Sequence, residues 1–507
     1  MNQLLFLTEP PLKFRFGQIL EDPHDGLTLF GPLDAGKIHG MRVGVVGTKD
    51  GIQRYRNWVL SIQTPLFPPK IQDALFRPVF PGFRAVFGVP WPVEPEIELA
   101  IDSEELTTAL RESDRHHRVF KTVNLFATRI LTAKREEEIG VDVWFVIIPP
   151  AVEKYCRPAS TVEYAVRTHA EDLMREGEAR KFLREPSLFE EANAETVPFT
   201  FEPDFHNQLK ARLLLHDAPI QILQENTIAP QDFLKSNGMP IRRVDAPSTI
   251  AWNVCSTAYY KASGRPWKLA RVRDGVCYLG LVFKRDDRSG DPLNACCAAQ
   301  MFLDSGDGVV FKGAVGPWYT GMRGEFHLTR GAAKEVASMA IESYRSKHPQ
   351  KRAPRELFVH GRVRLNEEEW QGFKDAAGEK TNIVGVRIRQ ATDLKLFSRL
   401  DYPVPRGTAY VQTPRQGYLW TVGFVPRLQT YLGKEVPNPL YIEITHGKAT
   451  MTWVFQDILA LTELNYNACI FSDGQPVTLK FADRVGEILT AGPIGTDTPP
   501  LPFKFYI

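Results

Sequence analysis

The stretch CYLGLVFKRDD, residues 277–287, is apolar as far as Phe283 and then abruptly charged. An unbroken apolar run such as Tyr278-Leu279-Gly280-Leu281-Val282-Phe283 is what a central strand covered on both faces requires. Enzymes that cut phosphodiesters with bound metal ions often carry an aspartate on such a strand, where it holds the ions. The corresponding position in this chain is Val282. The run is therefore either an ordinary core strand or a nuclease-type strand without its acid. Its surroundings have to decide.

The bulk numbers set the frame. A chain of 507 residues exceeds one typical domain, so two or three are expected. With 43% hydrophobic and 24% charged residues the composition is that of a folded globular protein. A net charge of +2 neither requires nor excludes a nucleic-acid partner, because local patches decide that. The cysteines Cys156, Cys255, Cys277, Cys296, Cys297 and Cys469 form no CxxC pair and no Cys/His metal spacing. They read as reduced, mostly buried thiols of a cytosolic protein. The opening MNQLLFLTEPPLKFRFG is interrupted by Glu9, Pro10 and Pro11 and does not read as a signal peptide. VDVWFVIIPP is too short to span a bilayer. A cytoplasmic, non-membrane protein is the expectation.

Working outward, residues 1–35 are rich in Pro and Gly and read as an extended lead-in. Strand and helix patterns then alternate. MRVGVVG (41–47), FRAVFGV (83–89), VDVWFVIIP and PIQILQ (219–224) read as strands. A helix is expected near 51–62, another through ELTTALRESDRHHRVFKTVNLFATRIL, and a long one over TVEYAVRTHAEDLMREGEARKFL. A short helix is expected over DFHNQLKARLLLHD, and a last one over STIAWNVCSTAYYKASG, with Ser248 as N-cap and Gly264 as its stop. Such alternation predicts an α/β fold with a parallel, Rossmann-like sheet. The second half begins with three strands, the first two joined by RDDRSGDPL. Helix, strand (PRELFVHGRVRL) and helix follow, a pattern that suits a mixed sheet of the RNase H type.

Within FHNQLKARLLLHDAPIQILQ, His206 and Lys210 stand four apart and project from one helix face, and Gln221 sits on the strand that follows. Lys261 closes a later helix. A cation, an imidazole and an amide converging at strand ends and helix termini can clamp a phosphate. The alternative is a solvated polar face, with Gln221 capping a turn.

The order of these words resembles the MID domain of Argonaute proteins, with YYKASGRPWKL (259–269) the most specific of them. The resemblance implies that His206, Lys210, Gln221 and Lys261 bind the 5′-phosphate of a guide strand, His206 also stacking on the first base. A second lysine common in the family falls on Thr257. The second half then resembles a PIWI domain. The first catalytic aspartate of that family falls on Val282, the DGR aspartate falls on His360 in His360-Gly361-Arg362, and Asp483 in PVTLKFADRV matches the last metal ligand. Glu325 in RGEFHLT stands where the family has a mobile glutamate. The resemblance covers nearly the whole chain and implies residues 36–268 as MID and 269–507 as PIWI, in the form of a short prokaryotic Argonaute without N and PAZ domains.

Valine offers no lone pair, and a neutral histidine does not replace the lost negative charge for Mg²⁺, which prefers oxygen. Two-metal cleavage needs several carboxylates holding cations ~4 Å apart. On these grounds the site is expected not to cut. Asp286 and Asp287 read as hairpin-turn residues rather than substitutes. Backbone-binding cations are sought in KRAPREL, VRIRQATDLK and TPRQGY. The resemblance further implies that the terminal carboxylate on Ile507 and Gln221 help bind a Mg²⁺ with the guide phosphate. It also implies a 5′-phosphorylated guide RNA and a single-stranded DNA target from plasmid or phage. The expected partner is an APAZ-containing effector, with a TIR or sirtuin-like NAD-degrading domain, acting in prokaryotic immunity. Two other readings stand beside this one. An active metal-ion nuclease would use Asp483, Glu325 and the Asp286/Asp287 pair. A generic α/β protein would bind a nucleotide or sugar phosphate, although VGVVGTKDG lacks GxGxxG spacing and no GxxxxGK[ST] loop occurs.

Overall fold

A computed structural model describes residues 2–70, 75–76, 78–136, 140–168, 174–285, 294–303, 308–317, 319–320, 325–431, 433–493 and 501–507. The lead-in is not simply extended. It contributes a strand, Gln3–Phe6 (β1), and a helix, Pro23–Phe30, whose N-cap Asp22 accepts from the His24 N–H.

Four strands, Val43–Thr48 (β2), Ile97–Ile101 (β3), Val143–Ile148 (β4) and Ile220–Gln224 (β5), form an all-parallel sheet in the order β3-β2-β4-β5. Every residue of β2 and β4 is buried. Their side chains alternate between two cores: Val43, Val45 and Phe145 face one, Val46, Trp144 and Val146 the other. Helices Lys49–Ser61 (α1) and Pro247–Lys261 (α4) cover the first face, and Arg115–Glu136 (α2) and Phe205–Leu214 (α3) the second. Each large apolar side chain buried in this way contributes roughly 1.5–3 kcal/mol.

Four expectations fail here. FRAVFGV is a one-turn helix, Phe83–Phe87, because Gly82 (φ 110°) and Gly88 (φ 71°) bracket it with backbone that L-residues avoid. The 103–136 region is two helices, Ser103–Leu110 and α2, and among the described residues after 161 a 3₁₀ turn, Tyr164–Val166, precedes helix Glu176–Arg184. Finally, α4 starts with Pro247 after Ala246; Ser248 is buried inside the first turn, its hydroxyl unpartnered, rather than serving as the cap. At the other end Ser263, at φ 71°, turns the chain before Gly264.

The second half is built on a ten-stranded sheet. Its strands are β1, Val276–Arg285 (β6), Asn294–Leu303 (β7), Gly308–Pro317 (β8), Glu356–Gly361 (β9), Asn382–Gln390 (β10), Thr408–Thr413 (β11), Gln416–Leu419 (β12), Leu440–His446 (β13) and Leu501–Pro502 (β14). The order is β1-β11-β12-β13-β10-β9-β6-β7-β8-β14. Strands β6, β9 and β10 run parallel, and β6-β7-β8 form antiparallel pairs. Strand β6, with Tyr278 to Phe283, is therefore interior to the sheet. Cys277, Leu279 and Leu281 enter the core beneath helices Arg330–Lys347 (α5) and Glu367–Ala377 (α6), and Tyr278 and Val282 enter the opposite core. The connection at 286–293, which includes Asp286 and Asp287, lies outside the described residues.

Gly280 sets how closely the last helices approach β6. A Cβ there would lie 2.0 Å from the Thr478 carbonyl oxygen, so only glycine admits the short helix Val477–Lys480 at this height. One strand over, His360 stands opposite Gly280 and bonds the Thr478 hydroxyl through Nδ1 at 3.0 Å. Together these contacts fix helix Ala482–Thr490 (α7), which carries Asp483 and Arg484, above Val282.

Candidate nucleic-acid interface

Helix α3 starts at Asp204, whose carboxylate accepts from the Asn207 N–H at 2.9 Å. That cap fixes the first turn, so His206 and Lys210 point together past the end of β5. The Lys210 ammonium is buried and donates to the main-chain oxygens of Tyr506 (3.0 Å) and Ile507 (2.8 Å). From the end of α4, the equally buried Lys261 donates to the Ile220 carbonyl (2.6 Å) and to Gln221 Oε1 (2.8 Å). The chain near its last residues is held in place by buried Phe503, Phe505 and Tyr506, and by Lys504 donating to the Ser263 hydroxyl at 2.7 Å. His206, Lys210, Gln221, Lys261 and Ile507 thus converge, drawn from three elements and a distant segment.

The electrostatics of this cluster are one-sided. Burial pushes the Lys210 ammonium down to about 7, with the Arg484 guanidinium adding to the effect. Burial and then Lys210 hold Lys261 well below the ordinary lysine value. His206 is likewise driven well below its usual value, by burial first and then by Lys210, Arg484 and Lys261. Neither lysine has a carboxylate side chain as hydrogen-bond partner: Lys261 rests on the Ile220 carbonyl and Gln221 Oε1, and Lys210 on the main-chain oxygens of Tyr506 and Ile507. Two buried lysines that no acidic side chain partners are costly to charge, and an incoming anion relieves that cost. Gln221 Oε1 and the Ile507 oxygen are taken up by ammonium groups, an arrangement that suits an anion. A Mg²⁺ at these two oxygens would need charge supplied by its own anionic ligand.

Arg484 is the member that sequence reading missed. The signal was present, since it follows the matched Asp483 directly. Thr257 stays out of the cluster, its hydroxyl donating to the Asn253 carbonyl at 2.8 Å within α4.

A second site lies on the far side of α7. A cleft of about 160 Å³ brings Val282, Glu325, Arg362, Glu369 and Asp483 onto one wall. Arg362 grips Asp483 with two bonds, at 3.0 and 3.3 Å. The pair is exposed, so its own stabilisation is below about 1 kcal/mol, but it places a guanidinium at the acid. Glu369 is buried and fully engaged: it closes the N-terminus of α6 with Asn366, accepts from the Leu328 N–H at 2.8 Å, and bonds His327 at 2.9 Å. Glu325 lies 3.5 Å from His327. His360 does not line this cleft. It is buried behind it, and burial holds its pKa down at about 3, so it is neutral. Among the described residues no group of three or more His, Cys, Asp or Glu is placed to hold a metal ion. Of the expected backbone-binding cations, Arg415 is occupied by the Ile444 and Gly447 carbonyls, and Arg355 pairs with Asp274.

The parallel sheet, the ten-stranded sheet and the cation-rich pocket joining them define a mixed α/β protein with the fold of Argonaute proteins. The structure of Clostridium butyricum Argonaute bound to a guide DNA and a 19-mer target DNA matches 100% of the chain with a TM-score of 0.62 at 14% identity. Drosophila Piwi matches 99% at a TM-score of 0.59 and 11% identity, and Aquifex aeolicus Argonaute 100% at 0.55 and 13%. The chain spans 55–57% of the length of these three proteins. No family model and no curated protein matches the sequence. Among the described residues no helix is long and apolar enough to cross a membrane.

Proposed function

We propose that the chain binds the 5′-phosphate of a guide RNA in the pocket of His206, Lys210, Gln221, Lys261 and Arg484, and uses that guide to recognise single-stranded DNA. The observation that carries this reading is the pair of buried lysines, Lys210 and Lys261, neither of which has an acidic side chain as hydrogen-bond partner. A dianionic phosphate supplies the missing charge. In this reading residues 36–268 form a Rossmann-like MID unit and residues 269–507 an RNase H-like PIWI unit. The β8-β7-β6-β9-β10 order, with antiparallel pairs followed by parallel ones, supports the latter. Gln221 and the Ile507 oxygen would be the residues to hold a Mg²⁺ beside the phosphate, where it would offset phosphate charge.

The reading includes recognition without cleavage. Val282 and the neutral His360 supply no charge, and Arg362 engages Asp483. Such a protein needs an output, and an APAZ-containing effector of the TIR or sirtuin-like kind, acting against plasmid or phage DNA in the cytoplasm, completes the proposal. The test compares 5′-phosphorylated with 5′-hydroxyl guides on His206→Ala and Lys210→Ala. A loss confined to the phosphorylated guide supports the pocket; equal losses for both would sink it. Metal-dependent cutting is the second reading, favoured by Glu325 and Asp483 sharing one cleft. Mn²⁺-dependent cleavage of a paired target that Asp483→Asn abolishes would establish it.

A further inference from the structure

Lys210 and Arg212 stand two apart on α3, so their side chains leave the helix on opposite sides. Arg212 lines a cleft of about 470 Å³ between α2, the end of α3, the 3₁₀ turn Val197–Thr200 and α7. That volume falls in the ~300–1,000 Å³ range of small-molecule sites. Leu131, Val197, Leu215 and Leu489 give the cleft apolar walls, and Val197 and Leu215 remain 40% and 49% exposed. The Arg212 guanidinium packs over two aromatic rings, 4.2 Å from the centre of Phe120 and 4.4 Å from that of Phe201. Its Nη1 donates to the Asn124 side chain on α2. Its Nε and Nη2 are buried and donate to nothing. Among the described residues Arg212 is the one arginine with two such nitrogens.

Cation–π contact and a place in the last turn of a helix both favour the charge, but neither supplies an acceptor to the two N–H groups. Burial pushes the guanidinium down to about 10, and no acid among the described residues offsets it. Arg118, another buried arginine, shows the difference, since its three nitrogens all donate to main-chain carbonyls. Nε and Nη2 together form a side of the guanidinium that meets two oxygens at once. Elsewhere in this chain that side takes both oxygens of a carboxylate, Arg265 on Asp34, Arg330 on Asp375 and Arg364 on Glu443, at 2.6–3.0 Å. On Arg212 the same fork is empty-handed among the described residues. The only other ionisable side chain among the described lining residues is His216, and no lysine or acid joins it.

We propose that the cleft binds an aliphatic monocarboxylic acid of medium chain length, its carboxylate on Nε and Nη2 of Arg212 and its chain along the apolar walls. The two oxygens complete the hydrogen bonds of the guanidinium and bring the negative charge that its buried position lacks. The tail covers Val197 and Leu215 and takes their apolar surface out of water. One guanidinium matches one negative charge, which favours a carboxylate over a phosphate dianion. The cleft is separate from the cation cluster of Lys210, which lies on the other side of α3.

The test is calorimetric titration of the full chain near neutral pH with octanoate, octanol, acetate and octyl phosphate, each below the concentration at which it forms micelles. One octanoate is expected per chain, bound at least about tenfold more tightly than octanol, which lacks the charge, and than acetate, which lacks the tail. Arg212→Met, which keeps an unbranched side chain without the charge, should bring octanoate down to the level of octanol. Circular dichroism checks that this variant is folded. An octanoate carrying a terminal diazirine gives an independent reading on the unaltered chain. Its adducts should map to α2, α3 and α7 by peptide mass spectrometry and be displaced by plain octanoate. Octanoate bound no more tightly than octanol would overturn the proposal, as would adducts scattered over the surface. Octyl phosphate bound more tightly than octanoate would overturn the choice of a carboxylate.

Discussion

Raising the pH from 7 to 9 is expected to weaken binding of a 5′-phosphorylated guide far more than that of its 5′-hydroxyl counterpart. In the unliganded protein burial holds Lys210 at about 7. Roughly half of the molecules then carry its proton at pH 7, and about one in a hundred at pH 9. A bound phosphate returns the ammonium towards its ordinary value, so binding above pH 7 takes up a proton. Affinity consequently falls as pH rises, by about fiftyfold across the two units, or roughly 2 kcal/mol. Lys261, also held low, acts in the same direction. The phosphate does not contribute to the fall, because its second ionisation near pH 6 is largely complete by then. The assay is fluorescence anisotropy with matched guides at constant ionic strength, read as the ratio of the two affinities. Lys210→Met should flatten most of the pH dependence. A ratio that stays flat for the unaltered protein from pH 7 to 9 would refute the argument, since it would mean that no proton accompanies the phosphate.

Gly280→Ala pushes a methyl into the Thr478 carbonyl, and should cost about 2–3 kcal/mol in a denaturant titration, with β6 or the last helices forced to shift. His360→Asp buries an unpaired carboxylate and should destabilise the protein by several kcal/mol, whereas His360→Asn, which keeps a partner for Thr478, should cost much less. Incubation with guide, paired target and either Mg²⁺ or Mn²⁺ should leave the target intact on a denaturing gel. Unfolding of the unliganded protein should shift to higher temperature as pH rises above about 7, because the unfolded chain binds the Lys210 proton more tightly. A 5′-phosphorylated oligonucleotide should abolish that slope in a thermal scan.

Long apolar runs and capped periodic helices were legible in the chain. Strands β2, β4 and β6 lie where the sequence pattern predicts them, because a strand buried on both faces leaves no alternative to a continuous apolar run. FRAVFGV misleads because five apolar residues suit a strand or a helix equally, and flanking glycines at positive φ decide the matter. The members of the cation pocket on α3, β5 and α4 could be picked from spacing and resemblance. Arg484 had only its adjacency to Asp483 as a signal, because its place beside Lys210 depends on the docking of α7 through Gly280 and Thr478, a contact between residues about 200 positions apart. No local pattern joins Arg212 to Phe120 and Phe201. The grip of Arg362 on Asp483 was equally hidden, since spacing says nothing about which exposed side chains meet across a cleft.

The strand Gln3–Phe6 lies at the edge of the ten-stranded sheet against Thr408–Val411, and the Lys210 ammonium closes on Tyr506 and Ile507. Both contacts join early and late parts of the chain, so neither can form until the ribosome has made most of the protein. During synthesis Leu4 and Phe6 must wait unpaired, exposed to any competing strand edge, while the parallel sheet of the first half can already assemble. The cation cluster around Lys210 is completed later still. A nascent chain therefore holds the cation cluster open until Tyr506 and Ile507 have emerged.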